Sequence, residues 1–165
     1  DLVVTDNLLA IKRMQDSSPV WQHSSYNQWE RFGSPNRKNL WQGFLEYRNG
    51  MESFMTCVLN RAKEQRVDMI FEGIHINPAL FHQYENDLAV KLFLLVIRDS
   101  QVHKERIRDK CSYRPTLLKR LEEYFARIRD LQDLLIEEAQ SQKVHVVDTG
   151  ESIESCLHGI REKLK

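Results

Sequence analysis

The sequence feature that most constrains the fold is an apolar run, Ala89 to Ile97, which reads AVKLFLLVI. Its length is typical of a strand, and it shows no regular alternation between apolar and polar residues. A strand of this kind is buried on both faces, as strands of parallel sheets are. Parallel strands must be joined by crossover segments, which are usually helices. The run therefore indicates an α/β fold if helices and further strands flank it.

Helical patterns do separate this run from three other segments that have the composition of short strands. The four predicted strands are residues 2–5, 67–71, 89–97 and 144–147. The predicted helices are about residues 7–14, 36–66, 99–110, 114–140 and 152–164, and Gly50 is expected to kink or divide the second of them. Residues 17–35 are predicted to be a loop that packs over another part of the protein. The pattern predicts a parallel sheet flanked by helices.

Length and charge narrow the function classes. The 165 residues suit one domain, 1–165, with a core of its own. The 24 basic and 24 acidic side chains cancel, which argues against a dedicated binder of nucleic acid or of membrane surfaces. No apolar run approaches the roughly 20 residues that cross a bilayer, and no signal-peptide pattern begins the chain, so we expect a cytoplasmic protein.

Two acidic residues follow the first two predicted strands. Ligands of parallel α/β sheets bind beyond the carboxyl ends of the strands, which is where Asp6 and Glu72 lie. A carboxylate there can bind Mg²⁺ or accept a proton from a substrate hydroxyl. The alternatives are helix capping by Asp6 and an ordinary loop position for Glu72. Gly73 would let a ligand approach the backbone closely, although a turn also requires glycine.

Arginine is dense after the third predicted strand. Guanidinium groups bind phosphate with two parallel hydrogen bonds, so the density is compatible with phosphoryl transfer. A solvated helix face with nearby glutamates explains it equally well. The arginines are Arg98, Arg106, Arg108, Arg114, Arg120, Arg127 and Arg129.

Neither metal binding nor a phosphate loop is evident in the motifs. His75, His82 and His103 match no familiar metal-site spacing and are more easily explained as hydrogen-bonding or substrate-contacting groups. No GxxxxGK[ST] sequence, the loop that cradles nucleotide phosphates, occurs in these 165 residues.

Six short segments, in order along nearly the whole chain, resemble the 2-phosphoglycerate kinase family. Each alone is a weak signal, and their order makes the resemblance fairly specific. The segments are Thr5-Asp6, His23-Ser24-Ser25-Tyr26, Gly43-Phe44, Phe71 to Pro78 (FEGIHINP), His103 with Arg106, and Phe125 to Gln132 (FARIRDLQ).

The resemblance implies a P-loop kinase-like fold with a helical lid and long C-terminal helices. It implies transfer of the γ-phosphoryl group of ATP to the hydroxyl of a phosphorylated acid, with Mg²⁺ as cofactor. Asp6 and Glu72 would be the acceptor-activating and magnesium-side carboxylates, and which does which is open. Arg106 would join them as a catalytic residue, and Val144 to Gly150 would lie near the adenine. The substrate-binding residues would be Ser24, Ser25, Tyr26, Gly73, His75, His103, Arg120 and Arg129.

Two departures from the family keep other functions open. Leu9 stands where the family has a basic residue, which weakens binding of the acceptor phosphate or indicates another acceptor. The family's first strand and phosphate loop are absent, so we expect an incomplete kinase domain that requires an upstream segment of a longer polypeptide. The alternatives are a non-catalytic or regulatory domain, and a kinase of another phosphorylated polyol such as an inositol phosphate. The kinase hypothesis further predicts that Asp6, Glu72 and Arg106 share one cleft.

Overall fold

The computed structural model describes residues 1–164, which divide into two compact units, residues 1–90 and 91–164. We call them the first and the second unit. Both combine a pair of short parallel strands with four helices. The predicted α/β class and the parallel strand pairing are confirmed. The four strands form two separate two-stranded sheets, whereas a single sheet was predicted.

The first unit holds the shorter strands. Strand β1 (Leu2–Val4) pairs with β2 (Ile70–Glu72), and Val4 lies opposite Glu72. The helices are α1 (Thr5–Gln15), α2 (Arg37–Asn49), α3 (Glu52–Gln65) and α4 (Pro78–His82). Two 3₁₀ turns, Pro19–Gln22 and Gln28–Phe32, lie in the predicted loop.

The second unit repeats the parallel pairing. Strand β3 (Phe93–Val96) pairs with β4 (His145–Asp148), and Val96 lies opposite Asp148. The helices are α5 (Ser100–Cys111), α6 (Pro115–Glu123), α7 (Phe125–Ser141) and α8 (Ile153–Leu164). The side chain of Asp99 accepts a hydrogen bond from the Val102 N–H and so caps α5.

The core of the first unit is built by α2, α3 and the loop before them. Leu40, Phe44 and Met55 on the two helices are almost fully inaccessible to solvent. The division between the helices falls at Gly50, as predicted. A Cβ atom at Gly50 would lie 2.5 Å from the Trp21 ring, so the glycine allows the loop tryptophan to pack there. The predicted packing of residues 17–35 is confirmed at Trp21.

Two features of the helices differ from the prediction. The single helix predicted for residues 114–140 is broken at Tyr124, whose ψ of 9° departs from helical geometry. The short helix α4 was not predicted, because its signals are only a proline in the first turn and the Asn77 cap on the Ala79 N–H.

Among residues 1–164, no helix combines the length and apolar character that spanning a bilayer requires.

Candidate active site

The carboxyl end of the β1–β2 pair brings two predicted site residues together. Val4 and Glu72 are opposite each other at the strand ends, and α1 begins immediately after β1 at Thr5. Asp6 therefore lies in the first turn of α1, close to the end of β2. The side chains of Asp6 and Glu72 are both exposed, and within residues 1–164 neither has an ion-pair or hydrogen-bond partner. Both carboxylates are thus available to a ligand.

A tight contact between Gly73 and Thr5 fixes the turn that follows Glu72. Gly73 has a φ of +135°, a conformation that side chains disfavour. A Cβ atom there would lie 1.8 Å from the hydroxyl Oγ1 of Thr5, which is itself 0% exposed. The absence of a side chain at Gly73 is therefore required for the end of β2 to pack against the start of α1.

The same threonine hydroxyl contacts the buried imidazole of His75. Thr5 Oγ1 and His75 Nδ1 lie 2.9 Å apart, and the His75 ring packs against Tyr47 with 4.8 Å between ring centroids. His75 is 1% exposed, and its Nε2 is buried without a hydrogen-bond partner among residues 1–164. A buried polar atom without a partner is costly, and it is a candidate contact for a ligand or a water molecule.

Burial determines the charge of this imidazole. Removal from water lowers the pKa of His75 to about 4; the Asp6 carboxylate opposes this shift and the Arg13 guanidinium adds to it. His75 is therefore neutral near pH 7. A neutral imidazole offers one N–H donor and one acceptor, and does not add a positive charge to the site.

The pKa of His75 predicts how stability depends on pH. Below pH 6.5, the ordinary pKa of histidine, the unfolded chain takes up a proton that the folded protein binds only below about pH 4. The free energy of unfolding should therefore fall by about 3 kcal/mol between pH 7 and pH 4 on account of this residue. We expect His75→Gln to lose that part of the pH dependence in urea denaturation. An unchanged pH dependence in this variant would contradict the assignment.

The predicted acceptor segment lies between the two 3₁₀ turns. Ser24, Ser25 and Tyr26 are half-buried, and the Ser24 N–H donates to Asn27 Oδ1 at 2.7 Å. Tyr26 is close enough to Tyr47 to contribute to a raised pKa there. Burial is the main cause of that shift, which brings the pKa of Tyr47 to about 12. The segment thus lies near the ring that covers His75.

Three residues of this region were not assigned by the sequence analysis. Thr5 was noted only as part of a motif, and Arg13 and Tyr47 were not noted at all. A signal existed for Arg13, because it follows Asp6 by seven positions, and this spacing places both residues on one face of α1. Tyr47 carried no signal beyond its position on the apolar face of α2.

The other predicted site residues belong to the second unit. Arg129 donates to the main-chain carbonyls of Ile97 and Arg98, the latter at 2.7 Å, and its Nη1 lies 3.3 Å from His103 Nδ1. Burial and the charge of Arg129 lower the pKa of His103. Arg129 therefore connects α7 to the end of β3 and to α5.

Arg106 and Arg120 are exposed on α5 and α6. Arg106 Nη2 donates to the Glu151 carbonyl at 3.3 Å, within the second unit. The grouping of Arg106 with Asp6 and Glu72 in one cleft stays a prediction.

The second unit also contains a partly open cavity of about 320 Å³. It lies between β4 and α8, with Val147, Asp148 and Cys156 among its lining residues. This volume is at the lower end of the range for small-molecule sites.

The arrangement of acidic, histidine and cysteine side chains limits the kind of metal ion that the protein can bind. No group of three or more histidine, cysteine, aspartate or glutamate side chains in residues 1–164 is arranged to hold one. Asp6 and Glu72 at adjacent strand ends instead fit Mg²⁺, which proteins often bind through one or two carboxylates together with substrate phosphates and water.

Comparison with known proteins identifies relatives that share one name. The chain is 28% identical to the 2-phosphoglycerate kinase of Methanocaldococcus jannaschii over 99% of its own length, and 28% identical to that of Methanopyrus kandleri over 99%. The 2-phosphoglycerate kinase of Pyrococcus furiosus is 22% identical over 88% of the chain. The chain spans about half the length of these relatives, 55%, 53% and 49% respectively. No family model and no solved structure matches.

Proposed function

We propose that this chain takes part in an ATP-dependent phosphorylation of a small molecule, because it is homologous to the 2-phosphoglycerate kinases over nearly its whole length. The phosphoryl acceptor is the hydroxyl of a phosphorylated acid, and the name of the relatives makes 2-phosphoglycerate the first candidate. The observation that carries the proposal is the pair of carboxylates, Asp6 and Glu72, which lie beside the paired ends of β1 and β2 and have no partner within residues 1–164.

The two carboxylates have complementary tasks in this proposal. Phosphoryl transfer depends on orienting the attacking hydroxyl and on stabilising the charge of the transferred group. One carboxylate accepts the proton of the acceptor hydroxyl, and the other is the magnesium-side ligand. Mg²⁺, when bound, would supply the positive charge that neutralises the phosphoryl oxygens. Ion pairs with protein cations would compete with both tasks, and none is found for either carboxylate within residues 1–164.

The acceptor contacts proposed for the first unit are polar groups near His75. The hydroxyl groups of Ser24 and Ser25 have no hydrogen-bond partner among residues 1–164, and neither does Nε2 of His75. Together with Tyr26 and the backbone of Gly73, they can bind the oxygens of a hydroxy acid. Hydroxyl and imidazole groups recognise these oxygens without adding charge to the site.

In the second unit we propose that Arg106 and Arg120 contact phosphate, since both are exposed guanidinium groups. The contacts of Arg129 with two carbonyls support a positioning role, in which it orients α5 together with His103. The cavity beside β4 is the proposed location of the adenine ring.

The proposal is tested by assaying the natural full-length protein with ATP, Mg²⁺ and 2-phosphoglycerate, with the product followed by phosphorus NMR. We expect a new phosphate ester that forms only when ATP and Mg²⁺ are both present. Inositol phosphates and glycerate serve as comparison acceptors. The absence of phosphorylation would contradict the kinase proposal, and a preference for inositol phosphates would contradict the proposed acceptor.

A further inference from the structure

The position at which the family resemblance predicts a basic residue is part of the apolar core. Leu9 is 6% exposed and packs in a cluster with Trp21, Tyr47 and Met51. A lysine or arginine head group at this position would lose its hydration without gaining a partner, at a large cost in free energy. If the acceptor anion is bound by a cation of α1, that cation must come from another position of the helix.

Arg13 occupies such a position. Seven residues of an α-helix make almost two full turns, so Arg13 and Asp6 project within about 20° of each other around the helix axis. Their separation along the axis is about 10 Å, and both side chains are exposed. The long side chain of arginine can bridge much of this separation. One face of α1 thus presents a carboxylate near the strand end and a guanidinium group two turns later.

The guanidinium group of Arg13 is held in place by main-chain carbonyls. Its Nε donates to the Trp21 carbonyl at 2.7 Å, and its Nη2 donates to the His23 carbonyl at 3.3 Å. A guanidinium group has five N–H donors, so these two contacts leave others unused. Arg13 has no carboxylate partner within residues 1–164. An arginine that is positioned but not neutralised is suited to bind an anion.

The surroundings of Arg13 are those of the proposed acceptor site. The carbonyl that Nη2 contacts belongs to His23, the residue immediately before Ser24 and Ser25. The positive charge of Arg13 adds to the lowering of the pKa of His75 and opposes the rise in the pKa of Tyr47, so the guanidinium group acts on both buried rings. Nε2 of the His75 imidazole has no hydrogen-bond partner in the described part of the chain, which is an independent indication of a ligand in this region.

We propose that Arg13 binds the anionic group of the phosphoryl acceptor and replaces the basic residue that the family resemblance predicts at Leu9. The inference rests on the proposed function and adds to it a residue that determines acceptor specificity. Phosphate and carboxylate are both anions that a guanidinium group binds with paired hydrogen bonds, and a phosphorylated acid carries both. Comparison of acceptors that lack one or the other identifies which of them Arg13 contacts.

The competing explanation is that Arg13 only attaches the loop at residues 21–23 to α1. Anion binding and loop attachment both predict that Arg13→Gln impairs the protein. The experiment must therefore measure ligand affinity and thermal stability separately. We would measure dissociation constants for 2-phosphoglycerate, glycerate and glycerol 2-phosphate by calorimetry, and melting temperatures without ligand. Arg61→Gln is the control, because it removes the same charge from an exposed position of the first unit, where Arg61 pairs with exposed Asp1 and donates to the side chain of exposed Gln65.

We expect Arg13→Gln to weaken binding of 2-phosphoglycerate about tenfold or more, with the KM for ATP unchanged. Arg61→Gln should bind like the wild type. An equal loss with glycerol 2-phosphate, but not with glycerate, assigns the contact to the phosphate, and the reverse pattern assigns it to the carboxylate. Unchanged affinity in Arg13→Gln overturns the inference while the kinase proposal stands. If the wild type binds none of the three compounds, the inference about Arg13 and the kinase proposal are both contradicted.

A second variant covers the case in which Arg13→Gln does not fold. Arg13→Lys keeps the charge and can still donate to one carbonyl, but it cannot form paired hydrogen bonds with one anion. We expect it to bind 2-phosphoglycerate several-fold more weakly than the wild type. Wild-type affinity in a folded Arg13→Lys protein would overturn the paired contact that the inference requires.

Discussion

Replacing Glu72 with glutamine is expected to lower the turnover number of the kinase reaction by about 10²-fold or more. The substitution keeps the size and shape of the side chain and removes only its charge. Charge at the magnesium side of a phosphoryl-transfer site acts mainly on the transition state, so kcat should fall more than substrate affinity changes. Asp6→Asn is expected to have an effect of the same order, since the two carboxylates lie at neighbouring strand ends.

Stability separates this catalytic effect from a structural one. Glu72 is exposed and has no hydrogen-bond or ion-pair partner in the described part of the chain, so its replacement should change the free energy of unfolding by less than about 0.5 kcal/mol. Glu64→Gln, at an exposed position near the end of α3, is the matched control and should retain full turnover. Full turnover in Glu72→Gln would remove Glu72 from the site.

Gly73→Ala is expected to have the largest effect on stability. The new Cβ would lie 1.8 Å from Thr5 Oγ1, and the backbone there has a φ of +135°. Thr5 is fully buried and contacts His75, so it cannot move aside without disturbing a second buried group. Overpacking and backbone strain together should lower the free energy of unfolding by about 3 kcal/mol or more, as measured by urea denaturation.

Gly33→Ala is the control that isolates the backbone contribution. Gly33 also has a positive φ, +105°, but nothing lies within 4 Å of a Cβ atom at this position. Only conformational strain is expected there, about 1 kcal/mol. Adding Thr5→Ala to Gly73→Ala removes the clashing hydroxyl and should restore part of the lost stability. If Gly73→Ala and Gly33→Ala lowered the free energy of unfolding equally, the clash with Thr5 would make no contribution, which would contradict this prediction.

Much of the fold could be predicted because its signals are local. The strand at β3 follows from an apolar run that only Lys91 interrupts, and α5 follows from the helical pattern at residues 99–110. Gly50 was recognised as a break in the helical pattern. The order of strands and helices was therefore accessible, and with it the adjacency of Asp6 and Glu72 once β1 and β2 are parallel neighbours.

Features that depend on tertiary contacts were not predictable in this way. The pairing of strands into two sheets depends on which strands meet in space, and strand composition does not encode this. The break at Tyr124 interrupts a continuous helical pattern. The cluster of Thr5, Tyr47 and His75 joins α1, α2 and the turn after β2, which are distant in the sequence. Arg13 alone carried a usable signal, its helical spacing from Asp6.

An experimental structure of the natural full-length protein with 2-phosphoglycerate bound would show where the phosphoryl acceptor lies. In the proposed function, the carboxyl end of the β1–β2 pair binds this acceptor. We predict that the acceptor hydroxyl lies within about 3.2 Å of a carboxylate oxygen of Asp6 or Glu72. A ligand bound elsewhere, with neither carboxylate in contact with it, would contradict the claim.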